Sequence, residues 1–204
     1  MSVQRVLLRG IELPTQTRGD VLSSQARQLL SQLAAELGLD CPPLLWSPRG
    51  KGPPTHPALP ANWFAGITHK RGRVIVGLSD RAFGIDLEAF NPRHAKRLGG
   101  LIETLPEHSV RYAIQQAACP QQAFYQAWTL HEALFKLASQ TAHPSSSVLA
   151  TRLQPALAAA EQNRLWQSPQ WTFAITGCAP LSLDVNPEVM LPDAVPVQFS
   201  PCPL

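Results

Sequence analysis

Charge is scarce in this sequence, and long apolar runs are missing altogether. Only 15% of the 204 residues are Asp, Glu, Lys or Arg, and the formal net charge is +3. So mild a positive balance favours acidic partners and falls well short of a nucleic-acid-binding composition. The five Trp are scattered and form no stacking ladder. No window approaches the roughly 18 uninterrupted apolar residues that a membrane span needs, so no membrane partner is expected. Met1 to Leu8 contain no signal-peptide core and no small-residue cleavage site, and a cytoplasmic location is the expectation. Cys41, Cys119, Cys178 and Cys202 lie far apart without paired spacing. Neither a zinc ribbon nor a disulfide framework is implied, which leaves four reduced thiols.

What remains is globular in character, with 45% hydrophobic residues. The length suits one good core or two small halves packed together. Residues 3–8 read as a short strand. Asp20 offers an N-cap to a helix whose apolar face carries Val21, Leu22, Ala26, Leu29, Leu30, Leu33, Ala34 and Leu37, with Gly38 at its C-terminal end. Cys41 to Pro60 is rich in Pro and Gly, carries Arg49, Lys51 and His56, and reads as a loop. Strands are predicted over Arg73 to Leu78 and Phe83 to Glu88, and one or two helices over Arg93 to Ala118. Pro120 opens a helix running to about Ser139, with Phe124, Ala127, Trp128, Leu134 and Leu137 as its buried stripe. An Ala-rich helical piece and strands at Trp171 to Thr176 and Leu181 to Leu183 follow. From Asn186 onward Pro recurs too often for regular structure, and a mobile tail is expected.

Two of these elements carry chemistry. In Gly84-Ile85-Asp86-Leu87-Glu88, strand alternation points Asp86 and Glu88 one way and Ile85 and Leu87 into the core. Adjacent carboxylates repel unless something positive sits between them, and Gly84 leaves room for a bulky group to approach. Taken alone, this reads as a polar edge-strand face without function. In Trp128-Thr129-Leu130-His131-Glu132-Ala133-Leu134-Phe135-Lys136, Glu132 and Lys136 share one helix face. Alone they form a surface pair worth about 0.2–0.5 kcal/mol. Trp128 and Phe124, one and two turns earlier, make the pair a continuation of an apolar stripe. His131-Glu132 starts like a zinc-protease motif, but Phe135 stands where the second histidine is required.

Together these segments resemble the 4′-phosphopantetheinyl transferases of the longer, single-chain type. That family carries a Gly-Ile-Asp-x-Glu strand and then a Trp-(Ser/Thr)-x-Lys-Glu-(Ala/Ser)-x-x-Lys helix. Gly84 to Glu88 matches the first; Trp128, Thr129, Glu132, Ala133 and Lys136 match the second. Thr68-His69 answers an upstream Ser-His element, and Arg27-Gln28-Leu29-Leu30 is similar to the family's Arg-rich helix.

The resemblance implies an α+β fold of two similar halves related by a pseudo-twofold, each a small antiparallel sheet with a long helix. The halves would be residues 1–80 and 81–185, followed by a Pro-rich tail, 186–204. It implies a monomer that transfers the phosphopantetheine arm of coenzyme A to a serine of an apo acyl or peptidyl carrier protein. Asp86, Glu88 and Glu132 would hold Mg²⁺, and Lys136 would face the diphosphate. His69 maps to a 3′-phosphate contact, with Thr68 beside it and Arg49, Lys51 and Lys70 as further candidates. The basic run Arg93, His94, Lys96 and Arg97 suits the docking of an acidic carrier or is simply a solvated helix start.

Three departures stand out. His131 occupies the family's lysine position, so His131→Lys is expected to preserve activity. Gly66 stands where asparagine is common. The family's glutamate before the tryptophan aligns with His108, beside Glu107, and these two with His131 are the candidate bases. The alternative reading is a weakened relative that binds coenzyme A or a carrier without transfer.

Overall fold

The structure, a computed structural model, describes residues 3–200, with backbone alone at positions 155, 158 and 160. Cys202 and the last residues of the Pro-rich tail lie outside the described residues; Cys41, Cys119 and Cys178 are free thiols. The fold is α+β, built on two four-stranded sheets.

The chain begins with β1 (Gln4–Glu12), α1 (Gly19–Ala35), β2 (Phe64–Lys70) and β3 (Arg73–Ser79). It then crosses to β4 (Phe83–Ala89), α2 (Leu98–Glu103), α3 (His108–Gln116), α4 (Pro120–Ala138), α5 (Leu153–Ala158), β5 (Asn163–Gln167) and β6 (Trp171–Gly177). It ends with β7 (Leu181–Leu183), α6 (Pro187–Met190) and β8 (Val195–Val197). The first sheet has the order β2-β3-β1-β7 and the second β4-β6-β5-β8. All pairings are antiparallel except β1 with β7.

Side-chain alternation orders the layers. Leu7, Val74, Val76 and Leu78 face α1, where Leu22, Ala26, Leu30 and Leu33 are buried. Val6, Leu8 and Ile75 face the other way and meet Phe83, Ile85, Leu87, Phe173 and Ile175 of the second sheet. That sheet's outer face presents Leu165 and Ala174 to α4, where Phe124, Ala127, Leu130 and Ala133 are buried. The central core therefore lies between the sheets, with one long helix outside each. A fully buried Leu or Phe contributes about 1.5–3 kcal/mol there.

Several expectations change. Helix α1 starts at Gly19 with Arg18 at the cap, so Asp20 sits in the first turn as an acidic complement to the helix dipole. Val21 and Leu37 lie at the exposed margin of its apolar face. Gly38 has φ +74° and lets the Leu39 N–H return to the Ala34 carbonyl at 3.0 Å, as its position predicts. Strand β1 runs beyond residue 8 because β3 pairs with it as far as Glu12. Strand β5 was not among the predicted elements. The tail has regular structure after all: α6 packs Met190 over Gly10, β8 pairs with β5, and Leu191 and Phe199 are buried.

Gly84 leaves room, but not for a ligand. A Cβ there would lie 1.8 Å from the Ala133 carbonyl oxygen and 2.7 Å from the Leu137 nitrogen. Both are backbone atoms of α4, which cannot step aside as a side chain does. Gly84→Ala should therefore destabilise the fold by about 3 kcal/mol or more. Denaturant unfolding would measure it, and a loss below about 1 kcal/mol would show that α4 does not rest on β4.

Candidate functional site

Strands β2 and β4 are the facing edges of the two sheets, and side chains seal the seam between them. The Leu87 N–H donates to Thr68 Oγ1 at 2.9 Å. Gln140 accepts from the Phe83 N–H at 3.1 Å and donates to the Ala65 carbonyl at 3.1 Å. Lys136 Nζ donates to the Ile85 carbonyl at 3.1 Å. Because β4 buries Phe83, Ile85 and Leu87, its alternate residues Asp86 and Glu88 turn toward α4.

Asp86 is nearly inaccessible, at 4% exposure. Its Oδ1 receives Lys136 Nζ at 2.6 Å and the Thr68 hydroxyl at 3.4 Å. Its Oδ2 is buried with no partner. Glu88 pairs with Lys70 at 2.7 Å. Glu132 lies one turn before Lys136 on α4, and its carboxyl group has no hydrogen bond or ion pair among the described residues. Burial, and next the Asp86 charge, push its carboxyl up to about 7. Glu88 is raised by the same two causes, with Lys70 opposing. Asp86 and Glu88 thus each hold one ammonium, Glu132 holds none, and a buried Asp86 oxygen still lacks a partner.

Beside this cluster lies a band of positive charge. Burial lowers the pKa of His69, and the neighbouring Arg49, Lys136 and Arg27 lower it further. Arg27 is fixed by donating to the Ser47 carbonyl at 2.6 and 2.9 Å. Arg49 is exposed, its guanidinium against Gly19 at the start of α1. Lys51 is exposed on the same loop. Lys70 stands apart from the band, its ammonium on Glu88. Lys136 lines a cavity of about 350 Å³ between β2, α4 and the 50–54 loop. Glu88 and Glu132 line another of about 350 Å³, walled by Phe124, Tyr125 and Trp128.

The three candidate bases are not gathered with the carboxylates. Glu107 caps α5, its carboxylate accepting from the backbone N–H groups of Leu153 and Gln154. His108 is exposed at the start of α3. His131 has 0% exposure, and its Nδ1 meets Thr151 Oγ1 at 2.6 Å. Since the Thr151 hydroxyl donates to the Val148 carbonyl at 2.6 Å, Nδ1 carries the proton and Nε2 is left without a partner. This burial reverses the expectation for His131→Lys, which would place an ammonium where no water reaches. Sequence reading passed over Tyr125, although it lies two helical turns before Glu132 on the same face. Its hydroxyl accepts from the Asn91 N–H at 2.9 Å and lies 2.9 Å from His94 Nδ1. His94 is thereby held at the Glu88–Glu132 cavity, while Arg93, Lys96 and Arg97 are exposed.

Among the described residues, no three His, Cys, Asp or Glu side chains form a ready-made metal-ligand group. The donor chemistry nevertheless fits a hard divalent cation: all three acids offer oxygen, and Asp86 Oδ2 is buried and unpartnered. Glu132 and that oxygen could serve as ligands, while Glu88 is paired with Lys70.

Burial holds the His131 pKa down to about 4, from an ordinary 6.5, with Arg152 adding to the effect. The unfolded imidazole takes up a proton that the folded one refuses. Its contribution is complete above pH 6.5 and is lost as pH falls toward 4. That loss is about 3 kcal/mol. Urea unfolding at pH 7 and pH 4.5 should show a smaller acid loss in His131→Gln than in the parent protein. Equal losses would refute the assignment.

Among the described residues, no helix is long and apolar enough to cross a membrane. No protein-family model and no curated protein matches the sequence.

Proposed function

We propose that this protein is a 4′-phosphopantetheinyl transferase, moving the phosphopantetheine arm of coenzyme A onto a serine of an apo acyl or peptidyl carrier protein. One observation carries the reading: Asp86 and Glu88 on β4 converge with Glu132 and Lys136 on α4, with Lys136 Nζ 2.6 Å from Asp86. The motif resemblance requires that meeting of distant segments. Two sheets, each backed by a long helix, add support for the two-halved fold of that family.

In the reaction, the serine hydroxyl releases its proton to water and its oxygen bonds to the β-phosphorus of coenzyme A. The phosphoanhydride bond breaks, and adenosine 3′,5′-bisphosphate leaves. Mg²⁺ held by Asp86, Glu88 and Glu132 would neutralise charge on the diphosphate. Lys136, held by the Ile85 carbonyl and Asp86 and lining its own cavity, would offer a pre-positioned ammonium to an anion there. Arg49, with Arg27 behind it, would supply the positive charge for the 3′-phosphate, neutral His69 would offer it a ring N–H, and Lys51 would extend the contact along the loop. The exposed Arg93, Lys96 and Arg97 suit an acidic carrier surface.

A second reading, binding without transfer, draws on the placement of the bases. Glu107 is consumed as a helix cap and His131 is sealed in the core.

Incubation with coenzyme A, Mg²⁺ and apo carrier proteins, followed by intact-mass analysis, separates the two. Transfer predicts a carrier heavier by one phosphopantetheine arm, and a loss of at least about 100-fold in Asp86→Ala or Glu132→Ala, the scale of removing an electrostatic catalytic group. Coenzyme A binding with unchanged fatty-acid, polyketide and peptide carriers would leave only the second reading.

A further inference from the structure

Lys70 and Thr68 are alternate residues on β2, and Glu88 and Asp86 are alternate residues on β4. Because the two edge strands run side by side in the same direction, Lys70 stands to Glu88 as Thr68 stands to Asp86. Strand geometry therefore delivers an ammonium to the third carboxylate of the cluster. The two lysines differ in how firmly they are held. Lys136 is tied to both Asp86 and the Ile85 carbonyl. Lys70 has Glu88 as its hydrogen-bonding partner, and its side chain is 43% exposed while that of Glu88 is only 13% exposed.

We propose that Lys70 is a resident counter-ion that withholds Glu88 from the metal and sets the affinity of the cluster for divalent cations. This rests on the metal-binding part of the preceding reading. A divalent cation entering between Asp86 Oδ2 and Glu132 competes with Lys70 for Glu88. When it wins, the released ammonium swings on its flexible, half-exposed stem within the cavity it shares with Glu88 and Glu132. Without a cation, Lys70 lessens the repulsion between Glu88 and Asp86. Lys70 is thus a positioning residue, acting through Glu88.

The test is calorimetric titration of the 204-residue chain with Mg²⁺ and with Mn²⁺, without coenzyme A. The parent protein is compared with Lys70→Gln, the double variant Lys70→Gln/Glu88→Gln, and Asp86→Asn. Lys70→Gln should bind about threefold to tenfold more tightly, the scale of a partly exposed ion pair. The double variant should lose that gain, and Asp86→Asn should abolish binding. Thermal unfolding should show a lower midpoint for metal-free Lys70→Gln and a larger rise on adding Mg²⁺. Unchanged affinity in Lys70→Gln, with Asp86→Asn still abolishing binding, would overturn this inference and leave the metal site standing. A gain that persists in the double variant would also overturn it, because Lys70 would then act as a remote charge. No binding in either the parent or Lys70→Gln would overturn the metal site and the inference together.

Discussion

Helix α4 lies on β4 with no side chain between them at Gly84. Backbone meets backbone there, and that contact sets the height of the helix above the strand. Everything in the candidate site depends on that height. Lys136 spans to Asp86 at 2.6 Å and to the Ile85 carbonyl at 3.1 Å. One methyl group at position 84 would lift α4 away and break both contacts. Closeness also raises electrostatic cost, because three acids are brought together where water is partly excluded. The two lysines offset part of this, and the raised pKa values of Glu88 and Glu132 report the part that remains.

Strand and helix periods made much of this visible in advance. A period of two placed Asp86 and Glu88 opposite the buried Ile85 and Leu87. A four-residue step placed Glu132 and Lys136 together. Neither period brings one pair to the other; that meeting depends on tertiary packing, and motif resemblance alone anticipated it. The burial of His131 is a different matter. Its neighbour Glu132 carries the motif, yet His131 follows Ala127 by four residues and precedes Leu134 by three. That spacing puts it on the inward stripe, where the structure finds it at 0% exposure.

The C-terminal segment shows where composition misleads. Proline density argued against regular structure beyond Asn186. Strand β8 carries Pro196 opposite Trp166, but β8 is the last strand of its sheet, where a missing N–H costs little. Helix α6 starts with Pro187 at a position that has no helical partner to lose, while the Asn186 side chain accepts from the Glu188 N–H at 3.3 Å. Strand β5 was overlooked because five residues, following an Ala-rich stretch, carry too little alternation to register. Its identity comes from β6 and β8 on either side.

The path of that segment bears on how the chain assembles. Strand β7 enters the first sheet beside β1, joining residues 181–183 to residues 4–6. Asp184 extends the junction by accepting from the Leu8 N–H at 2.8 Å. Arg73 fastens the following turn, donating to the Met190 carbonyl at 2.8 Å. A nascent chain emerges from the ribosome N-terminus first, so β1, α1, β2 and β3 form with one sheet edge still open. Its covering strand, β7, is made only after β4, β5 and β6 of the other sheet. Such long-range pairing slows folding and leaves an exposed edge in the interval, making the N-terminal half the part most in need of protection during synthesis.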